Sequence, residues 1–315
     1  MKISLWFLII SIIFTSCEDT PVWKAFLDVP ESCAYPPSVT ELESRSLNGM
    51  SLELLIQRNG PHGYQRVLKV FPQSYEGALP AVVVPFYFPE AMLGCELDGA
   101  PLEKYAGIEM MAHLVSRGYA CVSADAYHLN YLNSEKPRDA FSRWQDAGEA
   151  VSSDYPEWCG MGKLVADTRL LFDLLEDDPR IDKDRIGIAG HSLGGKMAFY
   201  AGCLDKRVKA VMTSDFGFLW EQSNWDKVWY WGDKLNCLKA EGISNVDVLS
   251  YADGKPFILI AGQYDTEYSH EAMLRAKGYE DCPENLKFVN HASGHRPPMW
   301  ALEKGYDFLD EHLKR

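Results

Sequence analysis

A serine stands in the middle of the segment Gly190-His191-Ser192-Leu193-Gly194, with a glycine two positions away on either side. This spacing is typical of a serine presented on a sharp turn between a strand and a helix, because larger side chains at the two glycine positions would collide with neighbouring backbone. The flanking residues fit this context, since an apolar strand pattern precedes the segment at 185–189 and a helical pattern follows at 196–201. The sequence therefore predicts that Ser192 is a nucleophile. A glycine-rich turn without chemistry is the alternative.

This motif in its strand and helix context resembles the α/β-hydrolase superfamily, and within it the dienelactone-hydrolase-like and acetyl-esterase-like serine hydrolases. The resemblance extends over about residues 79–313, most of the chain. It implies an α/β fold with a mostly parallel central sheet and helices on both faces. It also implies a catalytic triad in which an acid and then a histidine follow the serine along the chain.

The resemblance selects Asp265 as the catalytic acid. A strand pattern at 257–261 ends in Gly262-Gln263-Tyr264-Asp265, which is similar to the family's acid-bearing turn after a late strand. Asp265 would then orient the histidine and stabilise its charged form. An aspartate that only caps the turn is one alternative. Asp215, after the strand pattern at 208–213, is another, because some hydrolases of this fold carry the acid one strand earlier.

The base and the oxyanion hole are predicted in the same way. His295 lies in Ser293-Gly294-His295-Arg296, which looks like the family's Gly-His loop, and His291 is its competitor. The backbone N–H of Leu193, next to the nucleophile, should hold the developing oxyanion. The second donor should come from the loop after the strand at 81–84, where bulky residues replace the family's usual glycine, so we assign Tyr87 or its neighbour Phe88.

Three further side chains are predicted to contact substrate. Lys196 lies four residues after the serine, an offset that also occurs in glucuronoyl esterases, and Arg296 follows the predicted base. Trp229 belongs to a tryptophan-rich segment, and aromatic rings in such a segment can stack on sugars. The alternatives are an internal ion pair or a solvated helix end for Lys196, and tryptophans that only pack this segment onto the sheet.

The elements that must position these residues alternate between strand and helix patterns, as in a mostly parallel sheet with helices on both faces. The segment at 216–251 breaks the alternation and is predicted to be a tryptophan-rich helical insertion. The predicted strands are 52–57, 66–71, 81–84, 119–124, 185–189, 208–213, 256–261 and 286–289, and the predicted helices are 108–117, 162–176, 196–201 and 300–313.

Composition excludes some classes of function. The formal net charge is −14, with 45 acidic and 31 basic residues, which argues against a nucleic-acid partner because such proteins need a basic face. The 8 cysteines show no spacing typical of a zinc site. We therefore expect neither a metal nor a cofactor.

The N-terminus predicts export. Lys2 precedes an apolar run at residues 3–13, which is too short to cross a bilayer and fits a secretory signal. The small residues before Cys17 resemble the lipobox of bacterial lipoproteins, in which that cysteine is acylated. We therefore expect a signal peptide at 1–16, a lipid-anchored tether or ordered arm at 17–38, and a hydrolase domain at 39–315. Membrane contact would be by the lipid anchor alone, at the periplasm or the cell surface.

The sequence thus predicts an exported serine carboxylesterase that hydrolyses a small-molecule or polysaccharide ester, with a carbohydrate ester favoured. A serine peptidase of the same fold is one alternative. A binding protein that has lost catalysis on this fold is the other, because of the bulky residues at the predicted oxyanion loop.

Overall fold

The computed structural model describes residues 21–314. A single nine-stranded sheet runs through this part of the chain in the order β1-β2-β3-β5-β4-β6-β7-β8-β9. Helices cover both of its faces, which confirms the predicted fold class. The strands are β1 Val39–Leu47, β2 Met50–Arg58, β3 Tyr64–Pro72, β4 Leu79–Val83, β5 Ala120–Ala124, β6 Ile181–His191, β7 Val208–Ser214, β8 Phe257–Ala261 and β9 Leu286–Asn290.

The helices lie in two layers. Helices α2, α3 and α10 pack on one face of the sheet, and α4 to α9 pack on the other. Short 3-10 turns occupy Glu31–Cys33, Glu103–Tyr105, Tyr127–Leu129 and Pro283–Asn285. The helices are α1 Val22–Ala25, α2 Pro89–Leu93, α3 Met110–Ser116, α4 Phe141–Asp154, α5 Gly160–Glu176, α6 Leu193–Leu204, α7 Lys234–Ala240, α8 Asn245–Tyr251, α9 Glu267–Met273 and α10 Met299–Leu313.

The topology places the predicted site residues at one edge of the sheet. Strands β4 to β9 pair in parallel, so their carboxyl ends share that edge. Strand β6, which leads into Ser192, lies between β4 and β7 near the middle of the sheet. Strands β4, β5 and β8 are buried along their whole length, as expected for parallel strands covered on both faces.

The elements that were not predicted from the sequence include strand β1 and helix α4. Strand β1 pairs with β2 but is largely exposed and lacks an alternating apolar pattern. Helix α4 carries polar residues on much of its surface and buries only a narrow apolar stripe that includes Trp144 and Val151. Both elements depend on their packing partners more than on a strong local pattern.

The segment predicted as a tether is packed against the domain from residue 21 onward. Trp23, Leu27 and Cys33 are buried in the core on the α5 side of the sheet. The Trp158 indole donates a hydrogen bond to the Leu27 carbonyl over 3.4 Å. Residues 21–38 therefore form an ordered arm. The predicted signal peptide and Cys17 lie outside the described residues.

The cysteines in the described part of the chain are free thiols, at positions 33, 95, 121, 159, 203, 237 and 282. None of the helices within residues 21–314 has the length and apolar content needed to cross a membrane.

A buried neutral histidine supports the loop that carries Tyr87. The imidazole of His128 stacks on Trp144 at 3.7 Å and contacts the Tyr87 ring edge-on. Burial lowers the pKa of His128 from 6.5 to about 3. In the unfolded chain this histidine takes up a proton near pH 6.5. Between these two pH values the unfolded state binds more protons, so the free energy of unfolding falls as the pH decreases.

We predict that the substitution His128→Gln weakens this loss of stability in acid. From pH 7 to pH 5 the variant should lose about 2 kcal/mol less free energy of unfolding than the wild type does. Urea unfolding at the two pH values measures the difference, with the exposed His62→Gln as control. The same acid dependence in His128→Gln and wild type would contradict the prediction.

Candidate active site

The turn that carries Ser192 is held in a strained conformation. Ser192 has φ 56° and ψ −115°, a region that side-chain-bearing residues rarely adopt. Its N–H donates to the Ser214 carbonyl over 2.8 Å, which ties the turn to the end of β7. A Cβ atom at Gly190 would overlap the carbonyl of Gly194, and one at Gly194 would overlap the carbonyl of Pro85. The glycines in the motif are therefore required by close backbone approach.

His295 contacts the serine on one side and a carboxylate on the other. Its Nε2 lies 2.9 Å from Ser192 Oγ, and its Nδ1 lies 2.6 Å from Asp215 Oδ2. With Nδ1 protonated toward the carboxylate, Nε2 is free to accept the serine proton. The three side chains form the hydrogen-bonded relay that activates a hydroxyl as a nucleophile.

The carboxylate that contacts His295 is Asp215, whereas the sequence placed Asp265 in this position. Asp215 directly follows β7, which is paired with β6, so its side chain lies one strand from the nucleophile. Asp265 follows β8, one strand further away, and its carboxylate accepts the backbone N–H groups of residues 216–218 over 2.6 to 3.0 Å. It therefore faces the loop behind Asp215.

Each of the two carboxylates binds the loop that carries the other. Asp215 Oδ1 accepts the N–H groups of Gly262, Tyr264 and Asp265 over 2.8 to 3.1 Å. Burial favours a higher pKa for Asp215, but the hydrogen bonds from His295 and from these N–H groups outweigh it and hold the pKa below its ordinary value. Burial raises the pKa of Asp265 despite its own backbone donors. Asp215 is thus the carboxylate that is held in its charged form.

The other two histidines near the serine are placed differently. His191 Nδ1 lies 3.0 Å from Ser214 Oγ, and burial lowers the pKa of His191 to about 3, so it is neutral beside the His295 ring. His291 Nδ1 lies 2.8 Å from Ser293 Oγ, two residues away. The structure brings His295, and neither of these, to Ser192.

The predicted oxyanion donors lie next to the serine. Leu193 is the first residue of α6, so its N–H has no partner within that helix. The loop after β4 packs closely on the turn that carries Ser192, because the Pro85 carbonyl lies next to Gly194. Tyr87, in the same loop, lines both cavities that Ser192 borders. The Tyr87 carbonyl accepts the Ala126 N–H over 3.1 Å, which fixes this loop. Phe88 packs against Arg138 and Tyr105. Tyr87 thus remains the predicted second donor.

Two open cavities of about 480 and 690 Å³ flank Ser192. Tyr87, Phe141, Ser192 and His295 border both cavities. Phe141 is 63% exposed, and its ring stacks on Trp229 at 5.9 Å with an interplanar angle of 5°. Sequence reasoning missed Phe141 because it begins α4, a helix that was not predicted.

The three predicted substrate contacts have different positions. Lys196 is buried and donates from Nζ to the Phe216 carbonyl over 2.8 Å and to Ser223 Oγ over 2.7 Å, while its ammonium lies 3.6 Å from the Trp225 ring. These contacts are internal, but they are made to a carbonyl, a hydroxyl and a ring and are not the ion pair of the alternative; Lys196 also borders the larger cavity.

Arg296 and Trp229 differ in their access to the serine. Arg296 borders the smaller cavity and donates to the carbonyls of Lys104 and Ala106. Trp229 is buried behind Phe141, and the neighbouring tryptophans are buried in the core as well. Among the described residues lining the two cavities, Phe141 has the most exposed aromatic ring, whereas Trp229 lines neither cavity.

Comparisons with known proteins agree with this fold. A model of the dienelactone hydrolase family matches residues 78–220, which include β4, Ser192 and Asp215. The protein YtaP of Bacillus subtilis, a hydrolase by name, is 23% identical over 308 residues, covering 91% of this chain and 95% of that protein.

Two solved structures are similar to the chain over most of its length. One carries the name of an acetyl xylan esterase, from Bacteroides fragilis, with a TM-score of 0.66 and 16% identity over 86% of this chain and 72% of that one. The other is a glucuronoyl esterase from Solibacter usitatus, with a TM-score of 0.63 and 12% identity over 92% of this chain and 89% of that one. These matches establish the α/β-hydrolase fold, and with the family match they support a hydrolase that acts on esters.

Because Asp215 and Asp265 make different contacts, we expect replacement by asparagine to have a different effect at each position. Asp215→Asn should slow the covalent labelling of Ser192 by a fluorophosphonate about 10⁴-fold, the loss typical of a triad acid replaced by its amide. Asp265→Asn should keep the relay but disturb the backbone donors it binds, lowering the free energy of unfolding by about 1–3 kcal/mol. Labelling rates and urea unfolding of both variants measure these effects. Normal labelling of Asp215→Asn would rule out this acid.

Proposed function

We propose that this α/β-hydrolase is an exported serine carboxylesterase that cleaves a carbohydrate ester. The observation that carries the proposal is the continuous relay from Ser192 through His295 to Asp215, with distances of 2.9 and 2.6 Å, at the meeting point of two open cavities. These distances suit proton transfer to and from the imidazole.

The relay performs the reaction in two halves. Ser192 Oγ attacks the ester carbonyl carbon and its proton moves to His295 Nε2. The bond from carbon to the alcohol oxygen then breaks, and the alcohol leaves with that proton, so the acyl group stays on Oγ. A water molecule next gives a proton to Nε2 and attacks the acyl carbon. The acid leaves and the proton returns to Ser192.

Asp215 and the backbone stabilise the charges that form during this sequence. The Asp215 carboxylate lies against the imidazole, which is positively charged after each proton uptake. The N–H groups of Leu193 and Tyr87 are proposed to hold the oxyanion, and losing one such donor typically costs about 10²–10³-fold in turnover. No step requires a metal or a cofactor, because the nucleophile, the base and the oxyanion donors all come from the chain.

A carbohydrate substrate is supported by the shape and lining of the site. The cavities on both sides of the serine are open and large, so neither the acyl nor the alcohol part is confined to a small blind pocket. The exposed face of Phe141 borders both of them and offers a flat apolar surface on which a sugar ring can stack. Two of the similar structures carry the names of an acetyl xylan esterase and a glucuronoyl esterase.

Export and lipid anchoring are proposed from the N-terminal sequence. The charged start, the apolar run at 3–13 and the small residues before Cys17 are the features that support them. A lipid anchor on Cys17 would be joined to the domain through the arm, of which residues 21–38 are described. An enzyme held in this way at the bacterial envelope would meet polymers outside the cytoplasm.

The esterase proposal predicts strong dependence on Ser192. Ser192→Ala should reduce turnover of p-nitrophenyl acetate by several orders of magnitude, up to about 10⁶-fold, because triad members act as a unit. The exposed Ser153→Ala serves as the control. Wild-type protein should release no p-nitroaniline from peptide anilides. Retention of most ester turnover in Ser192→Ala, or faster cleavage of the anilides than of the ester, would contradict the proposal.

The role of Phe141 is tested by comparing substrates. Turnover of acetylated xylan, of feruloyl esters and of methyl esters of uronates is measured first, to identify the preferred compound. Phe141→Ala should then lower kcat/KM for that compound about tenfold, mainly through KM, with little change for p-nitrophenyl acetate, which is too small to need the platform. The exposed Trp300→Ala is the control. An equal loss on both substrates would exclude a role in substrate recognition.

A further inference from the structure

A cluster of charged side chains lies beside the loop after β4. Arg66, near the start of β3, holds its guanidinium between the carboxylates of Glu90 and Asp125. It donates from Nη1 and Nη2 to the two oxygens of Glu90, the second over 2.8 Å. It donates from Nη2 and Nε to the two oxygens of Asp125, over 2.9 and 3.2 Å. Four of the five guanidinium N–H groups are therefore used inside the cluster.

The cluster is largely removed from water. Glu90 is 2% exposed, and the side chains of Arg66 and Asp125 are 25% and 14% exposed. Burial favours a higher pKa for Glu90, but the hydrogen bonds and the charge of Arg66 outweigh it and hold the pKa below its ordinary value. Buried ions lose so much hydration that well-packed apolar residues often stabilise a fold equally well. The cluster is therefore better explained by what it holds in place than by the stability it adds.

The two carboxylates belong to the two chain segments that border Tyr87. Glu90 lies three residues after Tyr87, in the first turn of α2. Asp125 follows β5, and its N–H donates to the Arg66 carbonyl over 2.9 Å. The next residue, Ala126, donates its N–H to the Tyr87 carbonyl over 3.1 Å. The guanidinium thus completes a closed chain of contacts that includes the backbone of Tyr87, whose N–H is the proposed second oxyanion donor.

The cluster does not reach the reacting atoms. Arg66, Glu90 and Asp125 line neither of the two cavities that Ser192 borders. An effect of Arg66 on the reaction must therefore pass through the backbone between β4 and α2. An oxyanion donor interacts most strongly with the charge that develops in the transition state, so a small displacement of the donor lowers turnover more than substrate binding.

We propose that Arg66 is a positioning residue for the oxyanion hole, acting through Glu90 and Asp125 on the Tyr87 N–H. A lysine at this position keeps the positive charge but lacks the planar fork that binds both carboxylates at once. The loop would then lose its fixed position although the cluster kept its cation. The inference rests on the proposed esterase function, in which Tyr87 supplies the second donor.

A similar cluster at the opposite edge of the sheet provides a matched control. Arg180 donates from Nη1 and Nη2 to the two oxygens of Glu53, the second over 2.8 Å. It donates from Nε and Nη2 to the two oxygens of Asp178, over 2.8 and 2.7 Å. Arg180 directly precedes β6, whereas Ser192 follows the other end of that strand. The two arginines therefore make the same kind of contact, but Arg180 lies away from the oxyanion loop.

Turnover of p-nitrophenyl acetate is measured for the full chain and for its Arg66→Lys and Arg180→Lys variants, at a temperature at which urea unfolding shows both variants to be folded. Arg66→Lys should lower kcat about 10- to 100-fold, part of the loss typical of a missing oxyanion donor, with little change in KM. An alkyl trifluoromethyl ketone, which adds to Ser192 as a tetrahedral oxyanion, should inhibit this variant more weakly by a similar factor. Arg180→Lys should keep the wild-type values.

A fall in kcat that is confined to Arg66→Lys, with KM unchanged, supports the proposal. An unchanged kcat in folded Arg66→Lys, or an equal fall in both lysine variants, overturns it. If Arg66→Lys does not fold, Glu90→Gln tests the same contact by removing one charge of the cluster, with Glu53→Gln as its control.

The esterase itself is tested separately. Wild-type protein without turnover or fluorophosphonate labelling contradicts the proposed function. Amide hydrogen exchange then still decides whether Arg66 holds the loop, because the Ala126 N–H bonded to the Tyr87 carbonyl should exchange faster in Arg66→Lys than in wild type or Arg180→Lys. Equal exchange in all three proteins would overturn the positioning role, whatever the activity.

Discussion

The geometry of the active site depends on the reciprocal contacts between two carboxylates and two loops. Asp215 binds three N–H groups of the loop after β8, and Asp265 binds three N–H groups of the loop after β7. Hydrogen bonds from backbone to a charged carboxylate are stronger than neutral ones, particularly when buried. The loop that aims Asp215 at His295 is therefore held by its neighbour, and the aspartate can keep a φ of 42° that is unfavourable for its residue type.

The parallel sheet explains why residues distant in sequence meet at this point. Ser192, Asp215 and the loop that carries His295 follow β6, β7 and β9, whose carboxyl ends share one edge. The Ser192 turn is bonded to the end of β7 through the Ser214 carbonyl, and the Asp215 N–H donates to Ile260 in β8. The sheet thus supplies the coarse position, and single backbone hydrogen bonds between neighbouring strand ends supply the remaining alignment.

Much of this arrangement was predictable from local patterns, because parallel strands buried on both faces are continuous apolar runs and the turn at Ser192 needs glycines at fixed positions. The choice between Asp215 and Asp265 was not. Both residues follow apolar strands, both bind backbone, and β7 and β8 lie in sequence order between β6 and β9. Strand order therefore leaves both acids possible, and the paths of the loops after β7 and β8 decide which carboxylate reaches His295.

Phe141 was missed for a related reason. Helix α4, which begins at this residue, buries a narrow stripe against Tyr87, His128 and Trp229 and so gives little periodic signal. The sequence left the arm open between a tether and an ordered segment, and the burial of Trp23, Leu27 and Cys33 favours the ordered segment. Both outcomes are decided by tertiary packing, which a local pattern does not contain.

The bulky residues of the loop after β4 are compatible with an oxyanion hole because the donor is backbone. A glycine at such a position leaves space around the backbone N–H group. Here that space is kept because the side chains of the loop pack away from the Ser192 turn. The Phe86 ring packs on Tyr105, and the Tyr87 ring packs on Trp144 and His128, so both are drawn into the protein. The close approach of the Pro85 carbonyl to Gly194 then sets the distance between this loop and the Ser192 turn. What the loop contributes to catalysis is therefore determined by the packing beneath it and by the missing side chain at Gly194, and the identity of the residue at position 87 matters through that packing.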